Sequence, residues 1–355
     1  MDYQLILSFF TSGLIGLTLT PLIIKFYRSQ GWLDDPQKNK HIKTVHQRAV
    51  PRGGGLVIFA TVLISSVLFL QLDQYLLAIL GGALLLTLVG TLDDIFDLHP
   101  LPRLGAGFLA ALLVVSTGIG IAYVSHPFAS GVIHLDQLQF QLNLLGQAHK
   151  IWLMADLFAL FFIVWNMNIV NWSKGVAGQL PGFVAISAVF IGLLSVRFID
   201  DPTSFNTATL SFIIAGAYAG LLFWNWEPQK IMPGYGAGSL AGYFLSILAI
   251  ISGAKVATTL MVLAIPTADG IFAILRRIRA GKKPWWGDRG HLHHKLMDVL
   301  GWSKQKIAVF YWSVSLLMGL LSLRLNTLGK IIAIGTAAGF VFLFMIWAKL
   351  QEQSK

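Results

Sequence analysis

No cysteine occurs anywhere in the 355 residues. That excludes a disulfide framework, a thiolate metal site and a cysteine nucleophile. Charge is scarce as well. Asp, Glu, Lys and Arg together make up 12% of the chain, about half of what a soluble domain carries. Acidic residues are the scarcer kind, 16 against 26 basic ones. A carboxylate beside an apolar run therefore needs a cause, because lipid penalises it. The sequence also has no low-complexity linker, no internal repeat and no aromatic-interleaved basic fold of the kind that binds nucleic acid.

What fills the chain is apolar sequence, 55% hydrophobic by composition. It comes in runs of about 17–22 residues, long enough to cross a hydrocarbon core as helices. The pattern predicts an all-α, polytopic integral membrane protein with about eleven spans. These lie at roughly 3–26, 53–71, 75–92, 104–125, 151–170, 180–198, 206–225, 236–252, 255–275, 306–324 and 327–348. The first run is too long for a signal-peptide core and has no cleavage site after it, so a retained span is expected. Five of the 26 basic residues (Lys150, Arg197, Lys255, Arg324 and Lys330) fall on one side of this topology. The other 21 fall on the loops 25–52, 93–103, 171–179, 226–235 and 276–306 or the C-terminal tail. Basic loops stay in the cytoplasm, which puts the N-terminus outside and the C-terminus inside a cytoplasmic membrane. The net charge of +10 then reflects topology. The outer segment 126–150 alternates apolar and polar residues, as a short β-hairpin or an interfacial element would. One membrane domain, 1–355, accounts for the whole chain. Small residues such as those of GGALLLTLVG suit packing within one chain or between two, which leaves a homodimer open.

The polar groups converge on the basic side. Asp93, Asp94 and Asp97 in TLDDIFDLHP follow the third span. Helical spacing sets Asp94 and Asp97 on one face. Adjacent carboxylates repel, and a divalent ion or another cation would relieve them. Asn166, Asn168 and Asn171 end the fifth span, with Asn168 and Asn171 sharing a face and able to bind an amide, sugar or phosphate. The turn GVAGQLPG offers backbone N–H groups to phosphate. Asp269 ends the ninth span, and His291, His293 and His294 follow among arginines and lysines that suit an anion better than a metal. In the first basic loop, His46 and Arg52 are candidates for a lipid phosphate. Trp285 and Trp286 suit an interfacial anchor or a base-stacking surface equally. Taken singly, each cluster has a plainer explanation. The aspartates and HLHH could be solvated loops, the asparagines could bond between helices, and most of the cations could serve topology alone. Asp156, inside the fifth span, stands apart from the convergence. Taken together, the groups predict a site for a polyanion beside lipid, the setting of phosphoryl transfer. Transport is disfavoured, since its polar groups belong at mid-membrane.

The order of LDDIFD, the asparagine-rich helix end and PWWGDRGHLHH resembles the polyprenyl-phosphate N-acetylhexosamine-1-phosphate transferases, of the glycosyltransferase family 4 type. The resemblance covers nearly the whole chain and is nearest to the bacterial members that begin surface-polysaccharide and wall-polymer synthesis. It implies transfer of a sugar-1-phosphate, expected to be HexNAc-1-phosphate, from a UDP-sugar such as UDP-N-acetylglucosamine to undecaprenyl or another polyprenyl phosphate, releasing UMP. It implies a Mg²⁺ ion, or Mn²⁺, at Asp93 and Asp94, with Asp97 assisting these catalytic carboxylates. It gives Asn168 and Asn171 to the nucleotide sugar, and Arg289, His291, His293 and His294 to its diphosphate or uridine. The chain departs from the family pattern at three places. Lys174 and Ala177 stand where Asn-x-x-Asn-x-x-Asp-Gly and its following Asp-Gly carry aspartates. Gly236 stands where a later Gly-Asp-x-Gly-Ser turn carries one. Lys174 is then expected to supply positive charge to the diphosphate. The same losses admit a second reading, a non-catalytic relative that binds nucleotide sugar or carrier.

Overall fold

The computed structural model describes residues 3–37, 47–126, 131–144, 147–198, 202–252, 255–285 and 287–353. His46 and Trp286 lie outside these segments. Thirteen α-helices are described, and the expected spans map onto them. The first three spans are α1 (Tyr3–Ser29), α2 (Gly54–Phe69) and α3 (Gln74–Phe96). The fourth to sixth are α4 (Pro100–Val115), α5 (Leu153–Trp172) and α6 (Gln179–Ser195). Then come α7 (Pro202–Asn225), α8 (Gly234–Ile251), α9 (Lys255–Val262) and α10 (Ala264–Arg279). A short α11 (Leu292–Asp298) precedes α12 (Lys304–Ser322) and α13 (Thr327–Gln353). Seven of the described helices are long and apolar enough to cross a membrane, eight if α9 and α10 form one bent span. α2, α4 and α6 are equally apolar but only 16 or 17 residues long. The chain is a mostly helical, polytopic membrane protein.

Two expected spans differ in detail. The fourth ends ten residues early, at Val115. The chain then turns through Gly118, at φ +95°, into a small antiparallel pair, β1 (Tyr123–Ser125) and β2 (Val132–His134). A second hairpin, β3 (Gln139–Leu144) and β4 (Gln147–Trp152), follows. The all-α expectation is corrected to this extent, and the alternation in 126–150 is the signal that marks it. The ninth span breaks at Leu263 with an 85° bend between its halves. Pro266 has no N–H to give the Val262 carbonyl, and Ser315 Oγ donates to that carbonyl instead, at 3.1 Å. Asp156 is explained as well. It sits in the first turn of α5 and accepts the Trp152 N–H at 3.0 Å, a helix-start role at the end opposite the polar clusters.

Between helices in lipid there is little hydrophobic drive, so small residues that admit close backbone approach set the packing. On α1, Ser8, Ser12, Gly16 and Thr20 recur every fourth residue and are buried. This stripe lies against α7, where Ser12 Oγ donates to the Ile213 carbonyl at 2.7 Å. Leu7, Phe10, Leu14 and Leu22 of α1 stay exposed, as a lipid-facing side would. α8 is the centre of the bundle, buried along Gly234–Ala249. Its sequence GYGAGSLAGY lets α2, α3 and α5 approach to backbone contact. A Cβ built on Gly90 of α3 would stand 2.5 Å from Gly236 Cα, and one on Gly55 of α2 would stand 2.7 Å from it. Gly90→Val is therefore expected to destabilise the protein by about 1–3 kcal/mol through overpacking. An unchanged thermal unfolding midpoint in detergent would contradict that packing.

Candidate active site

The last turn of α3, the turn between α5 and α6, the start of α8 and the loop before α2 meet at one end of the bundle. Asp93 is buried, and Arg103 of α4 donates to both of its oxygens, at 3.0 and 3.2 Å. Asp94 Oδ1 accepts the Tyr235 N–H at 2.9 Å. Gly234, at φ +66°, makes this approach feasible, since a Cβ there would overlap the Asp94 carboxylate. Lys174 donates to the Gly234 carbonyl, and its ammonium lies 5.9 Å from the centre of the Tyr235 ring. Burial pushes this lysine down to about 8, against the opposing pull of Asp94 and Asp93. The Tyr235 hydroxyl reaches the Arg103 carbonyl at 3.2 Å, and the Arg103 guanidinium lies 5.3 Å from the same ring. Asp97 is the left-handed C-cap of α3, at φ 51°, and is exposed. It leaves the helix just where the expected face shared with Asp94 would have continued. Arg52 is held by Asp34 at 2.6 Å, on a strap where Met232 N–H bonds to the Pro51 carbonyl and Gly54 N–H to that of Met232.

A second cluster forms on α10 and the loop that follows it. Asp269 is buried and accepts the Leu292 N–H at 2.8 Å and His291 Nδ1 at 2.9 Å. Arg277 Nη2 lies 3.1 Å from His291 Nε2. An arginine can only donate, so Nε2 accepts and the proton sits on Nδ1, facing Asp269. Arg277 is itself buried, lies 5.2 Å from the Trp172 ring, and shares Asp288 with Arg276. Burial alone would raise Asp288, but hydrogen bonds from Arg277, Arg276 and the Gly290 N–H hold it well below the carboxylate range. His293 stacks parallel to His291 with 5.8 Å between centroids, and His294 lies 4.3 Å from His293. Burial, reinforced by neighbouring cations and histidines, lowers both rings, His294 to about 4. They are neutral near pH 7 and act there as hydrogen-bond donors and acceptors.

The turn at 173–178 joins the two clusters. Lys174 reaches Gly234, which lies against the Asp94 carboxylate, and the next residue, Gly175, lies flat against His293, where a Cβ would overlap the ring. Asn171 packs on Gly238 of α8. Asn171 Oδ1, His293 Nδ1 and His294 Nδ1 are buried without a hydrogen-bond partner among the described residues, as groups waiting for a polar ligand would be. Asn168 is turned elsewhere. Its Nδ2 donates to the Val164 carbonyl at 2.8 Å, and it is the one amide lining an otherwise apolar cavity of about 500 Å³ walled by Phe158, Phe161, Trp165, Trp172 and Trp285. Arg289 is paired with Asp298 at 2.8 Å, and its charge bears on His293 and His294. Arg103, Tyr235 and Arg277 escape a sequence reading. Their roles depend on which helix ends meet, and only the nearness of Arg103 to LDDIFD hints at one of them.

The Mg²⁺ or Mn²⁺ centre that the family resemblance implies does not fit these side chains. Among the described residues, no three of His, Cys, Asp and Glu stand together as a metal site. Asp93 is engaged by Arg103, Asp94 by a backbone N–H, and an ammonium lies beside both.

Residues 76–253, half of the chain, match the model of Glycosyl transferase family 4. The chain belongs to this family. Among its relatives is a probable undecaprenyl-phosphate N-acetylglucosaminyl 1-phosphate transferase of Bacillus subtilis (strain 168). It is 27% identical over 318 residues, 87% of this chain and 81% of that protein. A decaprenyl-phosphate N-acetylglucosaminephosphotransferase of Mycobacterium leprae (strain TN) is 25% identical, covering 86% of this chain and 78% of its own. A phospho-N-acetylmuramoyl-pentapeptide-transferase of Bacillus thuringiensis (strain Al Hakam) is also 25% identical, over 92% of this chain and 99% of that one. This glycosyl transferase family 4 member thus aligns with its relatives from the first helices through the C-terminal half. The aspartate, asparagine and histidine clusters fall on one connected surface of it.

Proposed function

We propose that the chain transfers HexNAc-1-phosphate from a UDP-sugar to a polyprenyl phosphate, releasing UMP, as the first membrane step of a cell-envelope glycan. The observation that carries this is the single turn, Lys174–Gly175, that brings the aspartates and the neutral histidines to one place. Relatives whose names state this chemistry support the catalytic reading over a non-catalytic binder.

A carrier phosphate oxygen attacks the β-phosphorus of the donor. The new P–O bond forms as the bond to the bridging oxygen breaks, and UMP leaves with that electron pair. The nucleophile is already largely ionised near pH 7, the second phosphate pKa being about 6. Asp94, whose carboxylate is not closed by an arginine pair, takes any residual proton. Asp93 with Arg103 fixes the end of α3. Lys174 faces the diphosphate as a point charge. His293 and His294 offer it Nδ1–H donors and Asn171 Oδ1 accepts from a hydroxyl or amide of the sugar, with His291 positioning the loop. The aromatic cavity beside Asn168 takes the isoprenoid chain, and Arg52 takes the carrier phosphate, with His46 of the same loop as a second candidate by sequence. On this reading α2, α4, α6 and the bent α9–α10 pair also cross the bilayer, giving eleven spans in one domain. The basic loops and the site face the cytoplasm at the inner membrane.

The test is UMP release by purified protein given undecaprenyl phosphate and a panel of UDP-sugars. Carrier-dependent release with at least one donor is expected. Folded protein that binds carrier but releases no UMP with any donor would leave only the binding role.

A further inference from the structure

Two adjacent carboxylates need a positive partner to stay ionised at a helix end. Asp93 has Arg103. The next cation is Lys174, held in place by the Gly234 carbonyl and set over the Tyr235 ring, and Gly234 itself lies against the Asp94 carboxylate. Few carboxylate oxygens remain here for a dication. Mg²⁺ requires a near-octahedral shell of oxygens, while Asp93 is closed by Arg103 on both oxygens and Asp94 already accepts the Tyr235 N–H. No third carboxylate can enter from α8. A Cβ on Gly236 would stand 2.9 Å from Gly55 Cα, and Gly90 closes the other side.

We propose that the Lys174 ammonium, held by the Gly234 carbonyl, is the permanent cation of this site, and that the chain binds the diphosphate of its donor without a divalent metal. The inference rests on the transferase reading and deepens it, because the diphosphate is that of a UDP-sugar. An ammonium is a compact point charge with three donors, and the unpaired Nδ1 atoms of His293 and His294, which can carry a proton toward a phosphate oxygen, lie across the same turn. A cation supplied by the chain is always present, so donor affinity does not follow the free ion concentration.

The experiment uses UDP as probe and the full-length protein in lipid nanodiscs. UDP affinity is measured with excess EDTA and with Mg²⁺, and UMP release is followed in parallel. Native affinities within about twofold of each other are expected, with Lys174→Met weaker by at least about tenfold in both buffers. The EDTA comparison on the native chain needs no variant, and thermal unfolding of Lys174→Met controls for its folding. Three outcomes overturn the proposal: native binding that collapses in EDTA and returns with Mg²⁺, a folded Lys174→Met that binds UDP as the native chain does, and no UDP binding in either buffer. Metal-independent, Lys174-dependent binding without any UMP release would sink the transfer reading and leave this one standing. UMP release with EDTA-sensitive UDP binding would do the reverse.

Discussion

UMP release falls by about 10³-fold when Asp94 is changed to Asn, and by no more than about twofold when Asp97 is. The two residues lie three positions apart in one motif, so the contrast rests on structure. Asparagine at 94 keeps an oxygen for the Tyr235 N–H, so the helix ends stay together. What it removes is the negative charge that favours the Lys174 ammonium against its burial. A lysine that loses its charge no longer meets the charge that builds on the departing UMP oxygen, and preorganised charge supplies most of the rate enhancement in such sites. Asp97 is exposed in a left-handed cap, a conformation asparagine adopts as readily. Steady-state UMP release with both variants decides the matter. Equal losses at 94 and 97 would mean that the acidic motif acts as a unit, contrary to this geometry.

The second large effect belongs to Asp269. Asp269→Asn is expected to destabilise the histidine loop by about 3 kcal/mol and to lower UMP release by about 10²-fold through misplacement of the histidines. Asparagine has the right shape but only one acceptor. If that oxygen keeps the Leu292 N–H, the amide NH₂ faces His291 Nδ1. The ring must then move its proton to Nε2, where Arg277 is already donating. One buried donor is left facing another in either tautomer. Amide hydrogen exchange over 291–296 should quicken together with the loss of activity. Unchanged exchange at Leu292 would show that the loop does not depend on this carboxylate.

Much of this was legible before any fold was known. Apolar run length gave the helices, and basic residues marked the end of the bundle where the site lies. LDDIFD, NMNIVNWSKG and GDRGHLHH identified the converging segments. The alternation in 126–150 also survives as β3 and β4. Other features depend on three-dimensional approach. The ten residues lost from the fourth span, STGIGIAYVS, are less apolar than its beginning, and Ser116, Thr117, Gly118 and Gly120 mark a helix stop that run length alone passes over. The bend at Leu263 needs Ser315, fifty residues away, to take a carbonyl that Pro266 leaves open. The aspartates could be found by spacing but not their partners, since Arg103 and Lys174 reach them across helix ends. The pairing of Arg289 with Asp298, one helix turn beyond His294, is likewise set by the fold of that loop.

The contact of Gly55, Gly90 and Gly236 bears on how this chain can change over generations. A carboxylate at 236 would have to force α8 away from α2 and α3, disturbing the aspartates it was meant to join. A change at 174 alters one side chain, but position 236 cannot follow it until the neighbouring backbones have separated. The order of substitutions is therefore constrained, and a lineage that has closed this glycine contact does not regain a side chain there by a single step.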